Sequence, residues 1–299
     1  MFLINNNNIT DPWTNLALEE YCLRSLDSNN DYFLVYINAP SIVVGKHQNI
    51  FQEVNWEYRQ KNGIGLIRRI SGGGAVYHDH GNLNFSFITG FKAQKLDYFK
   101  ILIDPIVNTL RQLGVPAEIG VKNDIFVEGK KNSGNSQYTN IKRMISHGTL
   151  LFNTDIEMLT HALDSGLDII ESKGIQSKKG EVANISGYLK PALDITGFRY
   201  KIIEGLAQVF GEMDEWELSA KDWDGIHQLA GEKYQTWDWT YGHSPEFIVR
   251  YPFRSNSHKV NARIRVNRGL VKSIDPEDGE ISDTLISRLI GKPYNLIEI

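Results

Sequence analysis

Cysteine is nearly missing from this chain: Cys22 is the only one in 299 residues. A single thiol cannot build an intramolecular disulfide framework, and the composition fits a reducing compartment. Long apolar runs are missing too. No stretch approaches the ~20 apolar residues of a spanning helix. Met1-Phe2-Leu3-Ile4-Asn5 lacks the basic segment and longer apolar core of a signal peptide. A cytoplasmic protein without membrane association is therefore expected. Positive charge is not in excess: 32 Lys and Arg against 36 Asp and Glu give −4, which offers no global electrostatic case for nucleic acid. Two familiar nucleotide-binding loops are excluded as well. Gly-x-x-x-x-Gly-Lys-Ser/Thr occurs nowhere, and no Gly-x-Gly-x-x-Gly opens a helix.

What is present is globular composition, 41% hydrophobic and 23% charged, with enough chain for a large domain plus a small one. Asp11-Pro12-Trp13 reads as a helix start, Asp11 capping and Pro12 in the first turn, with the helix ending near Leu26. Apolar runs at 32–37, 42–45, 64–70, 83–89, 125–127 and 144–152 read as strands. Residues 56–61, 97–113, 156–163, 198–210 and 223–233 read as helices, with Pro105 inside the second. From Phe247 the pattern changes. Val260, Ala262, Ile264 and Val266 alternate with Lys259, Asn261, Arg263 and Arg265, the period of a strand with one wet face. Asn267-Arg268-Gly269 turns into a strand at 270–274, and 283–290 reads as a closing helix. The expectation is an α+β domain over residues 1–246 and a small α+β accessory piece over 247–299. Seven basic residues (Arg250, Arg254, Lys259, Arg263, Arg265, Arg268, Lys272) and no acid lie between Phe247 and Ile274. They suggest either a solvated strand face or a positive surface that steers an acidic partner.

Chemistry concentrates in four stretches. Arg68-Arg69-Ile70-Ser71-Gly72-Gly73-Gly74-Ala75-Val76-Tyr77-His78-Asp79 puts three glycines between two strands. Either it is a plain hairpin turn with surface arginines, or its N–H groups form an anion nest to which both arginines add donors. Asn123-Asp124 opens an apolar strand, and Lys131 follows in what reads as a loop of small polar residues, Asn132-Ser133-Gly134. A carboxylate at Asp124 could hold magnesium against phosphates. His147-Gly148 begins a third stretch. The fourth, residues 171–181, is polar, as a lid or an ordinary surface loop would be.

Together these stretches resemble the lipoate–protein ligase family, within the biotin/lipoate ligase superfamily. The resemblance rests on Pro12-Trp13-Thr14-Asn15-Leu16-Ala17-Leu18-Glu19-Glu20, Gly45-Lys46-His47-Gln48-Asn49, the 68–79 block, Asn123-Asp124, Lys131 with Ser133-Gly134, His147-Gly148-Thr149-Leu150, Lys173-Gly174-Ile175 and Trp237-Asp238-Trp239. It implies a central mixed, largely antiparallel sheet flanked by helices. It implies ATP and Mg2+ as cofactors and lipoate as substrate, activated as lipoyl-AMP and passed to a lysine of an acidic lipoyl-domain acceptor. That acceptor would be a dehydrogenase subunit or a glycine-cleavage H-like protein. Carried over by position, Arg69, Ser71, Gly74, Ala75, Val76 and Tyr77 would bind ATP, and Gly73 and His147 would border the lipoyl tail. Asn123 and Asp124 would serve the phosphates, with Asp124 on the metal. Lys131 would contact the lipoate carboxyl and the α-phosphate. The piece after Glu246 looks shorter than the accessory domain of longer members. A transferase of the same superfamily would instead need a nucleophilic cysteine, and Cys22 reads as a packed helix residue; a non-catalytic adenylate-binding module is the other alternative, against which Lys131 and Asp124 argue.

Overall fold

The computed structural model describes residues 1–91, 98–120, 123–177, 180–255 and 258–294. Asp97, Lys178 and Lys179, which enter the readings above, lie outside them. The chain divides into two compact units, one of Met1–Ser41, Val76–Leu159 and Lys179–Glu232, the other of Ile42–Ala75, Thr160–Lys178 and Lys233–Ile299. No helix among the described residues is long and apolar enough to cross a membrane.

The first unit is organised by a six-stranded sheet in the order Asn135–Thr139, Arg143–Leu151, Asn82–Gly90, Tyr32–Tyr36, Phe2–Ile4, Glu215–Trp216. The first three pairings are antiparallel and the last two parallel, so the expected mixed, largely antiparallel sheet is the observed one. Strand Asn82–Gly90 alternates Leu83, Phe85 and Phe87 with Asn82, Asn84 and Ser86, and the period of two sends them to opposite faces. The apolar face packs with Phe33, Val35 and Leu150 against helices Tyr98–Gln112 and Ile195–Phe210. Those helices approach closely at Gly205, where a Cβ would run into Thr109. Pro105 leaves the first of them unbroken. Helix Pro12–Ser25 starts as read: the Asp11 carboxylate accepts the Thr14 N–H at 2.8 Å and Pro12 takes the first turn. It carries Glu19 and Glu20, both fully buried.

A three-stranded antiparallel sheet, Ala117–Ile119, Ile125–Val127 and Lys130–Ser133, carries Lys131, and the short strand Val76–His78 of another sheet carries Val76 and Tyr77. Here the sequence reading needs correcting. Lys131 is on a strand, not in a loop. Glu128 and Gly129 both have positive φ, 50° and 75°, which makes a two-residue turn whose twist lets the strands pair immediately on either side.

The second unit holds a four-stranded antiparallel sheet in the order Ile169–Ser172, Phe247–Ser255, His258–Asn267, Leu270–Pro276. Val260, Ala262, Ile264 and Val266 are buried as their alternation requires. Phe51 stacks on Phe247 with ring centroids 5.4 Å apart and meets Tyr294 edge-on, also at 5.4 Å. Four of the seven basic residues between Phe247 and Ile274 are ion-paired. Arg250 pairs with Glu277 and Asp168, Arg263 with Glu277, Arg265 with Glu246 and Arg268 with Asp238. These acids lie outside the 247–274 window, so a local count of charge could not find them.

Candidate functional site

The glycine block is built from its arginines outward, all within the second unit as far as Ala75. Arg68 is fully buried. Its Nε donates to the Thr240 carbonyl at 3.0 Å, Nη1 to the carbonyls of Gly45, Lys46 and Gln48 at 2.9, 3.2 and 2.8 Å, and Nη2 to Ser244 Oγ at 3.0 Å. Burial, and then the neighbouring charge of Arg69, lower its pKa to about 10, so it stays cationic at neutral pH. Of the two arginines read as phosphate donors, Arg68 is thus a tie between backbone segments. Arg69 is 7% exposed and donates to Ser71 Oγ, Val43 O, Gly72 O and Gly74 O. It braces the loop through the Gly72 and Gly74 carbonyls, which it holds against its guanidinium.

Gly45 is forced by this arrangement: a Cβ there would collide with the Gly73 carbonyl. Gly73 itself has φ +94°, which favours glycine. Two residues not singled out for a role close the loop. Gln48 accepts the Gly45 N–H on Oε1 at 2.8 Å, and its Nε2 donates to Ser177 Oγ at 3.0 Å. The Ala75 N–H also donates to Ser177 Oγ, at 2.8 Å. Of the polar stretch read as a lid or a surface loop, 171–172 end a strand, the Ile175 N–H donates to the His47 carbonyl and the Ser177 N–H donates to Glu53 Oε1.

The first unit gathers Val76, Asn123, Asp124 and Lys131. Lys131 Nζ lies 2.8 Å from Asp124 Oδ2. Asp124 Oδ1 accepts the Asn135 N–H at 3.3 Å, and Asn135 Nδ2 donates to the Asn123 carbonyl. Asn123 has φ 59°, a left-handed turn that aims the next carboxylate at the lysine. A Cβ on Gly134 would stand 3.6 Å from Lys131 Nζ and 3.7 Å from a Val76 methyl, so this glycine borders the ammonium. The backbone of Lys131 is held on both sides: its N–H donates to Glu181 O and its carbonyl accepts the Ala183 N–H. Tyr77 is buried, its hydroxyl 2.8 Å from Met158 Sδ.

His147 sits on strand Arg143–Leu151, its Nδ1 2.8 Å from Glu19 Oε2, while Tyr36 donates to Glu19 Oε1 at 3.1 Å. Glu19 is a buried acid on a helix. The acidic pair Glu19-Glu20 amid apolar helix residues is the sequence signal that could have marked it. Cys22 is fully buried on the same helix, and burial raises its thiol pKa far above the ordinary range. A buried, neutral thiol is a poor nucleophile. Among the described residues no cluster of three or more His, Cys, Asp or Glu could enclose a metal.

Residues 11–207 match the family model for the lipoyl protein ligase A/B catalytic domain. The chain is 42% identical to lipoate-protein ligase LplJ of Bacillus subtilis, over 98% of this chain and 91% of that protein. It is 46% identical to lipoate–protein ligase 1 of Staphylococcus aureus, over 91% and 83% respectively. Among solved structures, a lipoate-protein ligase A bound with ATP superposes with a TM-score of 0.68 at 27% identity, covering 80% of this chain and 96% of that one. The protein Ta0514 of T. acidophilum with bound lipoic acid gives the same TM-score and identity over the same shares. A braced glycine loop, a lysine–aspartate pair and a family match that spans both lead to one conclusion: this chain belongs to the lipoate–protein ligase family.

Proposed function

We propose that the chain is an ATP-dependent lipoate–protein ligase that makes lipoyl-AMP and transfers the lipoyl group to a lysine of a lipoyl-domain or H-like acceptor. The observation that carries this reading is Lys131. Its ammonium is kept charged-paired by Asp124, beside a glycine, on a strand fixed along both edges. Lipoate and ATP are both anions, so their reaction at phosphorus needs a fixed cation to offset repulsion and the charge that develops. Lysine suits this because one compact ammonium can serve two oxygens at once.

In this reading Lys131 orients the carboxylate on the α-phosphorus, then holds the phosphate while the acceptor amine attacks the mixed anhydride. The amides of the Gly73-Gly74-Ala75 loop, which Arg69 and Ser71 brace, receive nucleotide oxygens, and Val76 and Tyr77 border the nucleotide. His147, oriented by Glu19, borders the lipoyl tail. Mg2+ would be held by Asp124 together with nucleotide oxygens, the usual way this ion combines one carboxylate with phosphates, and would supply charge neutralisation there. Asp124 fits that role as an oxygen donor already turned toward the phosphate-binding lysine. A cytoplasmic location follows from the substrates, and residues 247–299 are taken as the accessory piece. The acceptor is an acidic lipoyl-bearing domain, of a dehydrogenase subunit or an H-like protein.

The test is ATP–pyrophosphate exchange with the intact chain. Exchange that depends on lipoate, followed by lipoylation of an acceptor domain on its lysine, is expected. Acyl transfer from a protein-bound donor without ATP, and no exchange, would reject the reading.

A further inference from the structure

Ser177 is in an odd position for a surface serine. Its hydroxyl oxygen accepts two convergent N–H bonds, from the Ala75 amide at 2.8 Å and from Gln48 Nε2 at 3.0 Å. Gln48 is fully buried, and its orientation is fixed because the Gly45 N–H, at 2.8 Å, can only be donating to an oxygen. That leaves the NH2 group pointing at the serine. The neighbouring loop residue has no side chain in the way: a Cβ on Gly74 would stand 2.9 Å from the same hydroxyl. Two preset donors and a stripped backbone make a receptor for an oxygen atom, and the oxygen in it is neutral. A charged oxygen makes hydrogen bonds roughly twice as strong in the same place.

Building on the ligase reading, we propose that the Ala75 amide and Gln48 Nε2 form a two-donor site for a phosphate oxygen of the nucleotide. The Ser177 hydroxyl is a built-in occupant of that site, displaced when the nucleotide arrives. Gln48 is thereby a nucleotide-binding residue, and Ser177 tunes affinity by competition. The serine keeps the amides satisfied in the empty protein, where buried unpaired donors would be costly. Departure of Ser177 costs its two hydrogen bonds, and that cost is subtracted from nucleotide affinity.

Calorimetric titration of the full chain with ATP alone, without lipoate, tests this. Ser177→Ala removes the competitor and should tighten ATP binding by about thirty-fold, the factor equivalent to two hydrogen bonds of ordinary net strength. Gln48→Glu keeps an oxygen for the Gly45 N–H but presents a carboxylate to the phosphate, and should weaken binding by about ten-fold or more. Hydrogen exchange at the Ala75 amide supplies a second readout. It should be faster in Ser177→Ala than in the wild type without ATP, and equally protected in both with ATP. Unchanged or weaker ATP binding by Ser177→Ala would overturn the competition, since a serine that itself contacts nucleotide would lower affinity when removed. Unchanged binding by Gln48→Glu would overturn the oxygen site. Failure of the wild type and both variants to bind ATP would instead defeat the nucleotide reading, and this proposal with it.

Discussion

Replacing Arg68 by lysine asks whether the first arginine of the block is a tie or a ligand contact. Its guanidinium reaches four backbone carbonyls and one hydroxyl, and the side chain is sealed from solvent. An ammonium has three donors on a single atom, so at least two of those five acceptors lose their partner. Breaking the network of a buried charge costs about 3–5 kcal/mol. At ~2–4 °C per kcal/mol for a large domain, the melting temperature should fall by about 6 °C or more. The same burial that lowers the arginine to about 10 would push a lysine below its own ordinary value. In the window between that lowered value and the unfolded one, the unfolded chain binds more protons, so the variant's deficit should shrink as pH rises through it. Thermal unfolding followed by circular dichroism, with an ATP titration at low temperature, separates the possibilities. A melting temperature unchanged within about 2 °C would refute the tie, and an unchanged melting temperature with lost ATP binding would make Arg68 a nucleotide ligand.

Lys131→Ala should leave stability within about 1 kcal/mol, because the lysine side chain is 38% exposed and its ion pair is screened, yet cut lipoyl-AMP formation by roughly 10²–10³-fold. Denaturant melts beside exchange assays check both halves. Cys22→Ala should retain acyl transfer with a stability loss of about 1 kcal/mol, read from melts and acceptor lipoylation; lost transfer in a folded variant would revive a thiol mechanism. Ser219→Ala removes one side of the capping box at the start of helix Ala220–Leu229 and should cost about 1 kcal/mol. Burial pushes Asp222 upward, but bonds from Ser219 and Tyr21 outweigh it and hold the carboxyl below its ordinary value. The stability it contributes is therefore present above the ordinary carboxylate range and lost as pH falls through it. The gap between wild type and Asp222→Asn in urea melts should close on acidification.

Much of this fold could be read directly, for local reasons. Asp11-Pro12 announces a helix through chemistry confined to four residues, and strand Asn82–Gly90 alternates as far as Phe87. The block from Arg68 to Asp79 carries its glycines next to its arginines, so the loop was visible, but not which arginine does what: that depends on Thr240 and Ser244, more than 170 positions away. The short strands Phe2–Ile4 and Glu215–Trp216 carry no periodicity of their own and exist because a sheet edge pairs with them. Lys130–Ser133 is polar enough to read as loop, and its strand character comes from the tight turn before it. Ser177 lies in a stretch with no pattern at all. Its importance to the glycine loop comes from tertiary hydrogen bonds alone.

The order in which the two units can be completed follows from how the chain is threaded through them. It passes from one to the other five times, after residues 41, 75, 159, 178 and 232. During synthesis the first unit therefore lacks its last helices until residue 232 is made, and the second lacks most of its sheet until strands 247–276 emerge. Neither can finish as an early, self-contained block. Whatever forms first on the ribosome must wait with open edges for segments made much later, so the nascent chain carries a long interval of exposure that the finished protein does not betray.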